Sequence, residues 1–124
     1  MQAKSVKEVL KAAHWILTHL AWTKGVYFRD KDGQTMVCVF TDKVDYQRRI
    51  PEHPDQLGAC CMVGAIELVE TTPRLRHEAI TFLMHKISSN PNYASITLDA
   101  WNDKSERTKG EVLVVLKRAI KEAP

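Results

Sequence analysis

Apolar residues recur at helical spacing near the start of the chain. They fall on one side of a helical projection and are Val9, Leu10, Ala13, Ile16, Leu17 and Leu20. Such a stripe predicts an amphipathic α-helix, which we expect to end before Gly25. Ser5 and Glu8 stand at its start in the S-x-x-E pattern of a capping box, in which the two side chains satisfy free backbone amides.

A second amphipathic helix is predicted near the other end of the chain. Its apolar face is formed by Val112, Val115, Leu116 and Ala119. Thr108 and Glu111 precede this face in the T-x-x-E pattern, so we expect a second capping box and a helix that begins behind Thr108.

Between these helices the pattern changes to that of β-structure. Residues 26–40 contain two runs rich in β-branched and aromatic residues on either side of Asp32-Gly33. Because this dipeptide tolerates the positive φ of a tight turn, we expect a β-hairpin. Two strands alone are marginally stable in water, so a third strand is expected, and residues 95–101 are the candidate. Residues 41–56 carry charges and two prolines without periodicity, which predicts a long loop.

Residues 57–69 (LGACCMVGAIELV) form a nearly continuous apolar run. Its length and its small residues favour a buried helix that begins near Asp55. Gly64 inside such a helix costs about 1 kcal/mol relative to alanine, so we expect another element to approach closely there. A further helix is expected to start at Thr72-Pro73, because proline suits a first helical turn, and to end at residues 88–91.

These elements predict a single domain over residues 1–124 with an α+β fold that is predominantly helical. We expect about four helices, a β-hairpin and a candidate third short strand. Hydrophobic residues make up 44% and charged residues 27% of the chain, which excludes disordered and membrane-embedded classes. No run of about 18 apolar residues occurs, so no membrane-spanning helix is expected.

Charge and cysteine content reduce the range of possible functions only slightly. The 18 basic and 15 acidic residues give a formal charge of +3 that is spread over the whole chain, which neither indicates nor excludes binding to nucleic acid. Three cysteines, of which Cys60 and Cys61 are adjacent, do not make a disulfide framework. Together with a charged amino terminus that lacks the pattern of a secretory signal, they favour a cytoplasmic location.

Three groups of residues together resemble the pattern of one protein family. They are Trp22-Thr23-Lys24-Gly25 followed by Asp32-Gly33, then Cys61-Met62-Val63-Gly64-Ala65, then Trp101-Asn102-Asp103 with Arg107-Thr108 and Glu111-Val112. The pattern is similar to W-x-x-G, C-x-x-G-A and W-N-D followed by R-T-x-x-E-V in short bacterial and bacteriophage proteins, over roughly residues 6–120. Many members carry an aromatic residue where this chain has Cys60. The family is a domain of unknown function, so the resemblance implies a stand-alone fold in bacteria or phages and no reaction.

The candidate ligand-binding residues are Trp101, Asn102, Asp103 and Arg107. An indole, an amide, a carboxylate and a guanidinium at a helix amino terminus can hold a small polar ligand, and the helix dipole favours anions there. The same residues also suit a structural role, with Trp101 in the core, Asn102 and Asp103 in a turn, and Asp103 paired with Arg107. We favour the structural interpretation and keep the ligand site as the alternative.

Cys61 is a candidate nucleophile, with His77, His85 or His14 as base and Asp103 as the group that orients the base. Catalytic thiols occupy electropositive, partly exposed positions, whereas Cys61 lies in an apolar run. We therefore interpret it as a core residue and expect no catalytic residues. The histidines include no H-x-x-H pair and the adjacent cysteines lack C-x-x-C spacing, so neither a metal site nor a cofactor is expected.

Four arginines are candidate contacts to nucleic acid, namely Arg48, Arg49, Arg74 and Arg76. Acidic residues are interleaved with them, however, as on an ordinary solvated surface. Our leading hypothesis is a small cytoplasmic binding protein without enzymatic activity, such as a phage-encoded accessory protein, whose partner is another protein and which contacts no membrane. A ligand-binding domain or minimal enzyme around Asn102, Asp103 and Arg107 is the alternative, and a weak nucleic-acid binder is the second alternative.

Overall fold

A computed structural model describes residues 2–40, 48–87 and 98–124 of the chain. Within these ranges the fold is α+β and predominantly helical, as predicted. The elements are α1 (Val6–His19), β1 (Ala21–Trp22), β2 (Phe28–Asp30), β3 (Cys38–Phe40), β4 (Arg49–Pro51), a 3-10 helix (Pro54–Gln56), β5 (Leu57–Cys60), α2 (Met62–Leu68), α3 (Pro73–Ile87), α4 (Leu98–Asp103) and α5 (Lys109–Glu122).

Helix α1 is the centre of the core, since it packs against α2, α3 and α5. Its predicted apolar stripe is confirmed: Val9, Leu10, Ala13 and Leu17 are all fully buried. The predicted capping box forms only in part. The Ser5 hydroxyl accepts a hydrogen bond from the Glu8 amide, but the Glu8 carboxylate accepts one from the Lys4 amide rather than from Ser5.

Helix α5 begins at the predicted capping box, and both halves of that box are present. The Glu111 amide donates to Thr108 Oγ1 and the Thr108 amide donates to Glu111 Oε1, each at 3.2 Å. Behind the cap, Val112, Leu116 and Ala119 are buried against α1 and α3, so this predicted helix is confirmed.

Replacing Thr108 by alanine removes the acceptor for one of the free amides of α5. We expect Thr108→Ala to lower the free energy of unfolding by about 1 kcal/mol, the usual cost of a lost cap. Urea denaturation followed by circular dichroism measures the change. Ser105→Ala is the matched control, because the Ser105 side chain is exposed and makes no hydrogen bond to the described residues. Equal stability of the two variants would contradict the role given to the cap.

The predicted hairpin of residues 26–40 is confirmed only next to its turn, where Arg29 and Thr35 form an antiparallel bridge, and is wrong for the strand pairing farther out. Gly33 has φ +85°, and the Met36 amide donates to the Phe28 carbonyl across the turn. Beyond Met36 the chain leaves β2, which pairs antiparallel with β5, whereas β3 pairs antiparallel with β4. Gly58 allows the β2–β5 pairing to be close, because a Cβ atom at Gly58 would lie 2.6 Å from the Asp30 oxygen.

The third strand is β5, which lies between β1 and β2 in a three-stranded sheet. The predicted third strand at residues 95–101 is therefore wrong over 98–101, which belong to α4, and residues 95–97 lie outside the described residues. The single helix predicted over residues 57–69 is also wrong over its first part, where the chain forms β5. A short apolar run fits a buried strand as well as a buried helix, and the sheet decides between them here.

Other predictions hold over part of their range. Gly64 lies in α2 against the turn before β2. A Cβ atom at Gly64 would be 2.6 Å from the Tyr27 carbonyl oxygen, so the expected close approach of another element is confirmed. Helix α3 begins at Pro73 as expected, and its predicted end at residues 88–91 lies outside the described residues. The predicted loop 41–56 is wrong over β4 and the 3-10 helix, and residues 41–47 are likewise outside the description.

None of the helices in the described ranges combines the length and the hydropathy that a bilayer crossing requires.

Candidate functional site

Asn102 connects three parts of the chain from a fully buried position on α4. Its Oδ1 accepts hydrogen bonds from the Trp22 indole at 2.7 Å and from the Met62 amide at 3.1 Å. Its Nδ2 donates to the Thr23 carbonyl oxygen at 3.1 Å and to Asp103 Oδ1 at 2.9 Å. Its amide group therefore makes two hydrogen bonds through each polar atom and holds β1 and the start of α2 against α4.

The segment that follows β1 lies along the carboxyl end of α4. Asp103 Oδ1 accepts the Gly25 amide at 2.9 Å, and Gly25 has φ +80°, a conformation that glycine adopts without strain. The Lys24 ammonium donates to the carbonyl oxygens of Lys104 and Ser105. A cation at the carboxyl end of a helix is favourable because the terminal carbonyl groups carry partial negative charge.

Arg107 joins the same region through the Trp101 ring. Its guanidinium lies 3.7 Å from the centre of that ring, and its Nε donates to the Trp101 carbonyl oxygen at 2.9 Å. Arg107 pairs with Glu111 at 2.9 Å. The structural interpretation had expected a pair between Arg107 and Asp103, and that expectation is wrong. The hydrogen bond from Arg107 is the main cause that lowers the pKa of Glu111.

Asp103 faces a cavity of about 120 Å³ that the sequence did not reveal. The cavity lies between Gly25–Tyr27, Cys61 and the two aspartates of α4, Asp99 and Asp103. The Tyr27 hydroxyl donates to Asp99 Oδ2 at 3.0 Å, and burial followed by the nearby Asp99 charge raises the pKa of Tyr27. Asp99 and Asp103 are four residues apart, so they lie one helical turn apart on α4. This spacing in the sequence indicates the pair of carboxylates once α4 is known to be a helix.

Cys61 is the N-cap residue of α2 and lies at the inner end of this cavity. Its Sγ accepts a hydrogen bond from the Gly64 amide at 3.2 Å. Burial is the main cause that raises the pKa of the Cys61 thiol to about 12, and the Asp99 and Asp103 charges act in the same direction. The described lining of the cavity contains no histidine, so it places none of the candidate bases beside this thiol.

These thiol pKa values predict low reactivity at neutral pH. Burial also raises the pKa of Cys60 to about 12, so at pH 8 only roughly 10⁻⁴ of either thiol is ionised. We expect iodoacetamide to leave both unmodified in the native protein, to react first with the partly exposed Cys38, and to label all three in guanidinium chloride. Because the pKa values are raised, reactivity increases as pH rises towards 12. Mass spectrometry locates the adducts, and native labelling of Cys61 as fast as in denaturant would contradict its burial.

The four candidate arginines have different surroundings. Arg48 Nε donates to the Glu67 carbonyl oxygen at 2.6 Å, and the fully buried Arg76 donates to the Val69 and Thr71 carbonyl oxygens. These groups surround the carboxyl end of α2. Binding of nucleic acid there stays a prediction, and little of the Arg48 side chain, with 14% exposed, is accessible to a phosphate.

The remaining two candidate arginines are more accessible. Arg49 lies over the Tyr27 ring at 4.7 Å and near the buried Glu67 carboxylate at 4.0 Å. Arg74 has 88% of its side chain exposed and pairs with Glu78 at 3.0 Å. Among the described residues, no group of three or more histidine, cysteine, aspartate or glutamate side chains is placed to hold a metal ion.

A groove of about 470 Å³ runs along the outer side of α1. Its apolar lining consists of Ala3, Ala12, Trp15, Ile16, Leu68 and Val69, and its charged lining of Glu8, Lys11 and Glu70. Trp15 has 60% of its surface exposed and stacks on His19 with ring centres 4.0 Å apart. The sequence signal was present, since Trp15 is the aromatic residue opposite the buried stripe of α1.

Comparison with known proteins gives one informative result. A family model described as a family of unknown function, DUF6197, matches residues 1–122, which confirms the resemblance to an uncharacterised family over nearly the whole chain. Neither the curated proteins nor the solved structures contain a match to this chain.

Proposed function

This chain belongs to DUF6197, a family of unknown function, and we propose that it is a small binding protein that recognises another protein chain through the outer face of α1. The exposed Trp15 beside an apolar groove is the observation that carries the proposal. Tryptophan is enriched among the residues that dominate binding energy at protein interfaces, because one rigid ring buries a large area.

The shape of the groove favours a protein partner over a small molecule. Small-molecule sites enclose most of the ligand surface, whereas this groove is open along α1 and leaves Trp15 projecting into solvent. The low ionisation of Cys61 supports binding rather than thiol chemistry, since a thiolate is the reactive form. The proposal includes an accessory role in the cytoplasm of bacteria or of phage-infected cells, the setting that the resemblance described above implies.

A comparison of three baits, the wild type and two variants, tests this function. Immobilised wild-type protein and Trp15→Ala are exposed to a lysate of the cells from which the gene comes, and retained proteins are identified by mass spectrometry. We expect at least one protein that the wild type retains and Trp15→Ala loses. Val114→Ala is the matched control, because Val114 is 57% exposed on α5 and should leave retention unchanged. Identical retained sets on all three baits would overturn the proposal.

The acidic cavity supports a second candidate function, the binding of a small organic cation. Asp99 and Asp103 both line this cavity, and within the described residues Asp99 Oδ1 and Asp103 Oδ2 accept no hydrogen bond. Its volume of about 120 Å³ suits an ammonium or guanidinium group with few carbon atoms. This candidate retains Asp103 from the predicted ligand set and gives Asn102 and Arg107 supporting roles.

Titration with ethylammonium chloride, observed by NMR, tests the second candidate. We expect shifts confined to the amides of residues 25–27 and α4, and at least tenfold weaker binding by Asp103→Asn. This variant keeps an oxygen for the Gly25 amide, removes the charge and replaces the second carboxylate oxygen by an amino group. Shifts of equal size in sodium chloride at the same ionic strength would remove this candidate.

A further inference from the structure

Three exposed residues form a stripe along the solvent side of α1. Glu8, Lys11 and Trp15 follow one another at intervals of three and four residues, which keep side chains on one line along a helix, as at the contact positions of a coiled coil. Lys4 is also exposed and lies just before Ser5, the N-cap residue of α1. The groove borders this stripe.

This stripe is complementary to itself when its direction is reversed. In an antiparallel arrangement centred between Glu8 and Lys11, each Glu8 faces the Lys11 of a second copy. The same arrangement brings each Trp15 to the amino-terminal end of α1 in the second copy, where Lys4 stands just before the N-cap residue. Opposite charges attract, and an ammonium group over an indole face is a favourable cation–π contact.

We propose that the occupant of this face is a second copy of the same chain, paired antiparallel through α1. The inference rests on the proposed function, since it uses the same binding surface. A twofold axis satisfies both copies at once because every contact occurs twice. Trp15 is already held by its stacking on His19, so little side-chain freedom is lost when it enters the interface.

The groove beside the stripe supplies the apolar part of the contact. Ala12 is small and lies next to Trp15 on the lining, which lets a second helix approach, and Ile16 and Leu68 form the adjacent apolar wall. Helix α1 has 14 residues and is about 21 Å long. One helix pair of this length buries less than a standard interface, so we expect a weak, concentration-dependent dimer.

Charge-reversed variants test the pairing. Sedimentation equilibrium over a hundredfold range of concentration measures the dimer dissociation constant for wild type, Glu8→Lys, Lys11→Glu and the double variant. Each single variant places like charges opposite each other, so we expect its dissociation constant to rise at least tenfold. The double variant restores opposite charges, and so does an equimolar mixture of the two single variants, which should form mixed dimers of near wild-type affinity.

Melting temperatures show that the variants are folded. Glu8→Lys also removes the acceptor of the Lys4 amide, whereas the Lys11 side chain makes no hydrogen bond to the described residues, so Lys11→Glu is the cleaner single variant. Trp15→Ala should also weaken the dimer, and Val114→Ala should not. A wild-type protein that stays monomeric throughout, or variants without rescue, would overturn the pairing. If the wild-type protein is monomeric and the bait comparison finds a Trp15-dependent partner, only the pairing of two copies is refuted. If there is neither a dimer nor such a partner, the proposed function is refuted as well.

Discussion

Asn102→Ala is expected to lower the free energy of unfolding by about 3–5 kcal/mol. The substitution leaves the Met62 amide, the Thr23 carbonyl and the Trp22 indole without their partner. Met62 is fully buried and Thr23 is nearly so. Each buried polar group left without a hydrogen bond costs about 1–3 kcal/mol, so the total follows from these groups rather than from the volume removed.

Urea denaturation measures this change, and Asp103→Asn is its matched control. An asparagine at position 103 keeps an oxygen for the Gly25 amide and for Asn102 Nδ2, so we expect a loss of less than about 1 kcal/mol. A loss for Asn102→Ala no larger than that of the control would mean that the segment 22–25 is not held by this amide.

Gly64→Ala is expected to lower the free energy of unfolding by about 1–3 kcal/mol, although alanine is the better helix former by about 1 kcal/mol. The new Cβ would lie 2.6 Å from the Tyr27 carbonyl oxygen and 3.2 Å from Phe28 Cε1. The carbonyl is backbone and Phe28 is fully buried, so neither gives way without moving β2 relative to α2. Gly64→Leu should cost more, because it adds volume to the same contact.

Gly110→Ala is the matched control for this prediction. Gly110 lies in the first turn of α5, where the nearest atom to a new Cβ is Thr108 Oγ1 at 3.8 Å. The same change of residue should therefore stabilise the protein by about 0.5–1 kcal/mol through helix propensity and reduced freedom of the unfolded chain. If both alanine variants changed stability in the same direction, the close approach at Gly64 would be wrong.

Sequence periodicity predicts those elements whose cause is local. Helices α1 and α5 follow from their apolar stripes, and the cap at Thr108 follows from a pattern of four residues. The turn at Gly33 also follows from local chemistry, because its positive φ favours glycine. These features depend on neighbours in sequence, so one chain is enough to find them.

Strand partners that lie far apart in the sequence depend on distant parts of the chain and were predicted wrongly. Residues 57–60 are as apolar as a buried helix, and their assignment to β5 depends on β1 and β2 on either side. Arg107 had two acidic candidates within reach along the sequence. It pairs with Glu111, one turn ahead on α5, while Asp103 is engaged by the Gly25 amide from a segment 78 residues away.

The candidate site was predictable in part for the same reason. The sequence singled out Trp101, Asn102, Asp103 and Arg107, and they do lie together, but their partners in residues 22–25 come from the other end of the chain. Asp99 and Tyr27 were missed because residues 95–101 were expected to form a strand and Asp103 a turn, so Asp99 and Asp103 were not expected to lie one helical turn apart. The sequence predicts the outer face of α1 as a polar side with one tryptophan. The apolar groove beside that tryptophan could not be predicted, because Leu68 and Val69 contribute to it from a distant part of the chain.

The central claim is that the residues around Asn102 hold the chain together while α1 offers the surface for binding. NMR tests this claim by measuring how fast the three tryptophan indole protons of the unmodified protein exchange with D₂O. The Trp22 indole donates to the buried Asn102, and Trp15 is exposed. We expect the Trp22 proton to exchange only as fast as the whole domain unfolds and the Trp15 proton to exchange within the first spectrum. Trp22 and Trp15 protons that exchange at the same rate would contradict it.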